Sequence, residues 1–415
     1  MELYNHQKEI LSNNPQKTGL WLGTGSGKTR TALALAKGNT LVICPKTQRD
    51  DKNWQRELEI MGIDLDLDVM SKEEFKRDVK KINKKYQTVI VDEAHTALGV
   101  TPSIQYKNKR PYPKASQLFY ELRGFLQEQK PERLYLVTAT IMKSPFTVWG
   151  AGVLLGKCTL ESFYEFRNIY YIKLPMPGRE VYSPKSDSET KERLATFARR
   201  LGCTGKLSDY FDVPEQTYKN EYVELTKAQK DAIKEVQIDY PDPIVALGKR
   251  HQVENGVLAG DEYNDEQEFN ENKTERIIDH STEFPRMIVF VKYTQQINNL
   301  KKSLEKTSKK VYTLTGKTKN RGELFEEVKQ EKDYVFIVQA QISAGWELPD
   351  CPVMIFMSRT YSFVDYEQAV GRILRANSLK KNLYINLIAK GGIDEEVHKS
   401  LINKKDFSER LYVDK

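Results

Sequence analysis

Short, nearly uninterrupted apolar runs recur along the chain, and a segment of helical character follows almost every one. In the first half the runs are GLWL (19–22), TLVICP (40–45), TVIV (88–91) and RLYLV (133–137). Strands this uniformly apolar are covered on both faces, as in parallel sheets, whereas a half-wet sheet alternates. Only DLDLDVMS (64–71) alternates at period two. Between the runs, NWQRELEIM, SKEEFKRDVKKI and SQLFYELRGFLQ carry helical patterns, the crossovers that parallel strands require. The alternation resumes with RMIVFVKY (286–293), KVYTLTG (310–316), DYVFIVQA (333–340), VMIFMS (353–358) and LYINLIAKG (383–391). The expected fold class is α/β with two parallel-sheet domains.

A chain of 415 residues exceeds what one core comfortably holds. The expected division is 1–210 and 211–415, with a polar helical or loop insertion around 225–280. Within the less regular middle, LPMPGREVYSPKSDSET reads as a turn-rich surface excursion, and GDEYNDEQEFNENKTER as an exposed acidic helix or loop. The formal net charge of +7 fits a polyanionic partner, and fits a lysine-rich solvated surface equally well. Cys44, Cys158, Cys203 and Cys351 are far apart and form no C-x-x-C pair, and the five histidines lack metal-binding spacing. Reduced thiols, no structural metal and a monomer in the cytoplasm of a bacterial cell or a phage-infected host are expected. The N-terminal MELYNHQKEIL lacks a signal-peptide core, and no apolar run is long enough to span a bilayer.

The stretch GLWLGTGSGKTRTALALA (19–36) places glycines between a strand and a helix. Gly23, Gly25 and Gly27 permit a tight curve with the amide N–H groups turned inward. Such a nest, opening onto a helix N-terminus, is an anion site. Lys28 can then reach the β- and γ-phosphates of a bound nucleotide, and the Thr29 hydroxyl can ligate Mg²⁺; what the phosphate is used for must come from elsewhere in the chain. The strict spacing G-x-x-x-x-G-K-[ST] asks for glycine where this chain has Leu22. A glycine turn without a ligand is the alternative. The order strand, loop, Lys-Thr, helix favours phosphate.

In TVIVDEAH (88–95), Asp92 ends a strand and suits Mg²⁺ through its water shell, while Glu93 is placed to polarise a water against the γ-phosphate. In YEQAVGRILR, residues Gln368, Arg372 and Arg375 are spaced i, i+4, i+7 and line one face of a helix. Two guanidiniums there can neutralise a phosphoryl group as its bond breaks. A solvated basic face is the alternative, against which Gly371 argues, because glycine weakens a helix. The second domain has no glycine-lysine loop of its own, which suggests that it completes the site of the first.

With these motifs in place, the chain resembles the superfamily 2 helicases and nucleic-acid translocases. GTGSGKT resembles motif I, DEAH (92–95) motif II, TAT (138–140) motif III and QAVGRILR (368–375) motif VI. YNHQKEI is similar to the upstream glutamine element, LVICPKTQRDDKNWQREL to motif Ia, MIVFVKYTQQI to motif IV and QISAGWELPDC to motif V. The pattern P-K…NWQREL with LP…VELTKAQ leans toward the Swi/Snf-like branch; Glu347 stands where motif V usually has Asp. The resemblance implies two RecA-like domains with an ATP cleft between them. It implies Gln7 on the adenine edge, and Gly23, Thr24, Gly25, Ser26, Gly27, Lys28, Thr29, Gly345 and Glu347 around the nucleotide. Thr29 and Asp92 would hold Mg²⁺. Asp92, Glu93, Gln368, Arg372 and Arg375 would carry catalysis, and Thr138 and Thr140 would couple hydrolysis to the nucleic-acid grip.

Nucleic-acid contacts are expected from Lys46, Thr47, Lys292, Gln341 and Ser343 at motifs Ia, IV and V. The basic aromatic stretch Tyr106, Lys107, Lys109, Arg110 and Tyr112 either touches phosphates and a base or is an ordinary exposed loop. Trp149 and Trp346 read as packing residues. The expected activity is ATP-dependent translocation along, or unwinding of, single-stranded, duplex or branched DNA. An RNA helicase is the rival within the class, and a non-motor ATP-gated clamp the rival outside it. A small-molecule kinase would leave the second domain unexplained.

Overall fold

A computed structural model describes residues 3–107, 110–175, 180–261, 265–269, 272–342, 346–374 and 381–409, without the side chains of 107, 110 and 404–409. The chain divides into two compact units, Met1–Phe211 with Lys405–Lys415, and Asp212–Lys404.

In the first unit the strands are β1 (Lys17–Leu22), β2 (Thr40–Cys44), β3 (Leu67–Ser71), β4 (Thr88–Val91), β5 (Val100–Lys107), β6 (Arg110–Ala115), β7 (Arg133–Val137), β8 (Tyr171–Leu174), β9 (Val181–Pro184) and β10 (Gly202–Gly205). Six of them form one sheet in the order β10-β1-β7-β4-β2-β3, every pairing parallel. All residues of β2, β4 and β7 are buried, which is why their sequences are apolar without interruption. Successive side chains serve opposite faces. Trp21, Ile43, Val91 and Leu136 join Phe119, Phe146 and Trp149 on one side. Leu20, Leu22, Val42 and Ile90 join Leu33 and Trp54 on the other.

Two segments that the sequence presents as loops are antiparallel ribbons, β5 with β6 and β8 with β9. Pro102, Pro111, Pro113 and Pro184 obscure them. A two-stranded ribbon tolerates proline because each strand has a free edge. The edge strand β10 has no apolar run at all; it is the glycine-bearing GCTG, with Gly202 opposite Gly19.

The second unit contains β11 (Gln216–Val223), β12 (Val257–Leu258), β13 (Gln267–Glu268), β14 (Arg286–Val291), β15 (Lys310–Leu314), β16 (Tyr334–Gln339), β17 (Val353–Phe356) and β18 (Asn382–Ala389). Its six-stranded sheet runs β11-β18-β17-β14-β16-β15, again wholly parallel. Ahead of β14, helices Lys227–Asp239 and Pro243–Glu254 bury Ala232, Val236, Tyr240 and Val253 together with Leu258. The fold is therefore α/β with two parallel six-stranded sheets. Because every strand in each sheet points the same way, the loops leaving the C-terminal strand ends gather at one edge of each, where ligands of such sheets bind.

Candidate active site

The glycine-rich loop 23–27 leaves the end of β1 and closes onto the helix Lys28–Leu35. Gly25 and Gly27 take φ of 80° and 77°, the left-handed region that glycine enters without strain. A Cβ on Gly27 would meet Gln7 Nε2 at 2.6 Å. The Gly23 amide donates to the Gly205 carbonyl at 2.8 Å, so β10 anchors the loop from the sheet edge. Ser26 Oγ donates to the Gly23 carbonyl at 2.6 Å, and Lys28 Nζ donates to the same oxygen at 3.0 Å. Thr24 and Thr29 are half-buried beside it. Leu22, in the place of the missing first glycine, is the last residue of β1 and wholly buried in the core.

Two residues brace this loop from the helix Asn5–Ser12. Gln7 is fully buried; its Nε2 donates to the Gly27 carbonyl at 3.1 Å and to Thr31 Oγ1 at 3.3 Å, and its Oε1 accepts from the Tyr4 amide at 2.9 Å. Both ends of its carboxamide are thus engaged within the protein. His6 was not foreseen. Its Nε2 lies 3.0 Å from the Ser26 carbonyl, and its ring stacks on Tyr210 at 3.8 Å between centroids. Nothing in the sequence spacing links residues so far apart.

The carboxylates leave β4. The Asp92 amide donates to Ile43 at 2.8 Å, and Asp92 Oδ1 accepts from the Glu93 amide at 2.8 Å. Burial and then the Glu93 charge push the Asp92 carboxyl up to about 6, with Lys72 and Lys28 opposing. Glu93 sits in a left-handed conformation, φ 43°. Strand β7 lies between β1 and β4 in the sheet, so the threonines at its end fall between the glycine-rich loop and the carboxylates. His95 Nδ1 is 2.9 Å from Thr138 Oγ1, 3.0 Å from Thr140 Oγ1 and 3.4 Å from Glu93 Oε2. Burial, reinforced by Lys72, lowers the His95 imidazole to about 3, so it is neutral near pH 7. Lys72, also unforeseen, is buried, with Nζ donating to the Glu93 carbonyl at 2.8 Å and to Thr96 Oγ1 at 2.5 Å.

Residues 271–377 match the family of helicase conserved C-terminal domains. None of the curated proteins matches the chain. Among solved structures, the Sulfolobus solfataricus SWI2/SNF2 ATPase core in complex with dsDNA is similar at 18% identity. That similarity covers 99% of this chain and 93% of the other, with a TM-score of 0.41.

Within residues 271–377, the reading of Gln368 and Arg372 as one helix face is corrected. The helix Phe363–Val370 stops at Gly371, a residue that terminates helices because it gains least from continuing them. Arg372 lies in the following turn and is buried at 8% exposure. Its Nε donates to the Gln368 carbonyl at 2.8 Å and its Nη1 to the Trp346 carbonyl at 2.8 Å, tying the end of this helix to the segment before β17. Gln368 is half-buried and Glu347 exposed. Trp346 is buried against Phe290 and Phe325, and Trp149 is buried with Nε1 on Ser162, so both are packing residues.

Lys46 and Gln341 are exposed, and Thr47 is half-buried. Lys292 turns inward, its Nζ 3.1 Å from His251 Nδ1. Tyr106, 66% exposed, projects from the β5–β6 ribbon, while Tyr112 packs edge-on against Tyr120. Lys109, Ser343, Gly345 and Arg375, and the side chains of Lys107 and Arg110, lie outside the described residues.

The residues present fit a magnesium nucleotide. Gly25 and Gly27, both at positive φ, curve the loop as residues with a Cβ would not, and the Lys28 ammonium already rests on a loop oxygen. The Thr29 hydroxyl and the Asp92 carboxylate are hard oxygen donors of the kind Mg²⁺ takes.

Proposed function

We propose that the chain is an ATP-driven DNA translocase or helicase. The observation that carries this reading is one sheet edge: a glycine cradle with Lys28, the buried Asp92 beside Glu93, and His95 joining Glu93 to Thr138 and Thr140. Loop amides and Lys28 hold the β- and γ-phosphates. Thr29 and Asp92 hold Mg²⁺, which when bound draws charge from the phosphoryl oxygens. Glu93 orients and polarises the attacking water. Arg372 and Arg375 neutralise the phosphoryl charge in the transition state, for which Arg372 must exchange the Gln368 and Trp346 carbonyls for phosphate oxygens. His95 passes the state of Glu93 to the two threonines and so to the nucleic-acid grip.

Backbone phosphates are held by Lys46, Thr47, Gln341 and Ser343, and by Lys292 once its ammonium leaves His251. The β5–β6 ribbon, with Lys107, Lys109, Arg110 and the exposed ring of Tyr106, adds phosphate and stacking contacts. The Swi/Snf-like sequence features favour DNA over RNA. In the test, Glu93→Gln binds ATP within about threefold of the unmodified chain and turns over at least about 100-fold more slowly, the scale of a lost general base. Unchanged turnover removes Glu93 from the role. Strand release on a forked duplex assigns a helicase; triplex displacement without strand release assigns a duplex translocase.

A further inference from the structure

We propose that Lys72 is a positioning residue for hydrolysis: its buried ammonium holds the Glu93 carbonyl, and with it the left-handed turn in which Glu93 follows Asp92. The proposal rests on the ATPase reading above.

Lysine is almost never fully buried unless something needs its charge. Lys72 is 7% exposed and opens the helix that follows β3, 21 residues before Glu93 in the chain. Its Nζ donates to the Glu93 carbonyl at 2.8 Å and to Thr96 Oγ1 at 2.5 Å. That carbonyl also accepts from the Thr96 amide and from Thr96 Oγ1, both at 3.0 Å. One backbone oxygen thus gathers three donors, one of them charged.

The conformation it fixes is costly. Left-handed backbone disfavours a residue with a Cβ by about 1–2 kcal/mol. Among the described residues the other non-glycine cases are Asn14, Lys52 and Lys130, all exposed. Glu93 alone is half-buried in a candidate site, and such strain persists where surrounding structure over-determines it. Asp92 Oδ1 accepts from the amide on the other side of Glu93, so the peptides before and after this residue are both pinned, one by Asp92 and one by Lys72. A charge-assisted bond to the carbonyl opposes rotation of its peptide more strongly than a neutral one.

A double-mutant cycle in single-turnover hydrolysis tests this. Lys72→Met is expected to lower kcat by about 10- to 100-fold while the Kd for a non-hydrolysable ATP analogue stays within about threefold. A residue that acts through Glu93 has nothing left to position once Glu93 is disabled. Lys72→Met should therefore slow the Glu93→Gln variant by less than about twofold. Equal slowing in both backgrounds, or an unchanged kcat in Lys72→Met, overturns the proposal. If Lys72→Met does not fold, the same cycle with Thr96→Val, at an exposed position, decides in the same way. A chain that hydrolyses no ATP before any substitution sinks the ATPase reading itself, which is a different failure from turnover insensitive to Lys72.

Discussion

His95 touches Thr138, Thr140 and Glu93 with a single ring nitrogen, so a change at the carboxylate reaches the end of β7 through one atom. Thr138→Val keeps the shape and removes a hydroxyl. It should leave basal ATPase within about twofold and cut stimulation by DNA about tenfold, about 1.4 kcal/mol of coupling. Equal stimulation in the variant would make the two threonines ordinary strand-end residues. Lys28, Thr29, Asp92 and Glu93 were legible in the sequence because a short loop fixes their spacing. His6 and Lys72 were not, since only the sheet brings them to Ser26 and Glu93. Arg372 was legible as a functional candidate but not in its geometry: periodicity continued the helix past Gly371, while the carbonyls of Gln368 and Trp346 capture the guanidinium instead.

The fully buried strands announced themselves as apolar runs, whereas the edges did not. β10 is the short glycine-bearing GCTG, and β11 exposes most of its polar residues, so neither carries the signal of a covered strand. Glycine in β10 serves close approach. A Cβ on Gly202 would lie 2.4 Å from the Gly19 carbonyl oxygen, and one on Gly19 would lie 1.9 Å from the wholly buried Trp21 ring. Trp21 Nε1 is pinned to the Ala198 carbonyl at 2.9 Å, so the ring cannot yield freely. Gly19→Ala should destabilise the first unit by about 1–3 kcal/mol, the usual scale of overpacking, measured by urea denaturation.

Glu254 ends the helix Pro243–Glu254. It accepts from the amides of Ile393 and Asp394 at 2.8 and 3.2 Å. Burial pushes its carboxyl up to about 7. The folded value exceeds the unfolded one, so the stability tied to its protonated form is complete below about pH 4.3 and is lost as pH rises through 7. The slope is at most about 1.4 kcal/mol per pH unit. Glu254→Gln keeps an acceptor without the charge and should flatten stability between pH 5 and 7 in denaturant titrations. Asp394, held below the ordinary carboxylate range by Lys273 and His251 against the opposing effect of burial, acts only at more acidic pH. An unaltered slope in the variant would place the titration elsewhere.

At the scale of the molecule, two parallel sheets were legible from alternation alone. The carboxylates and the glycine-rich loop meet because β7 separates β1 from β4 by one strand, an arrangement that no single motif encodes. The central claim is that this edge hydrolyses ATP in response to DNA. Steady-state ATPase should therefore be measured with no nucleic acid, single-stranded DNA, duplex DNA and RNA in turn, at fixed salt because backbone contacts are salt-sensitive. The account predicts turnover that rises at least about tenfold with DNA and disappears in Lys28→Ala. Turnover indifferent to every nucleic acid, or raised by RNA alone, would contradict it.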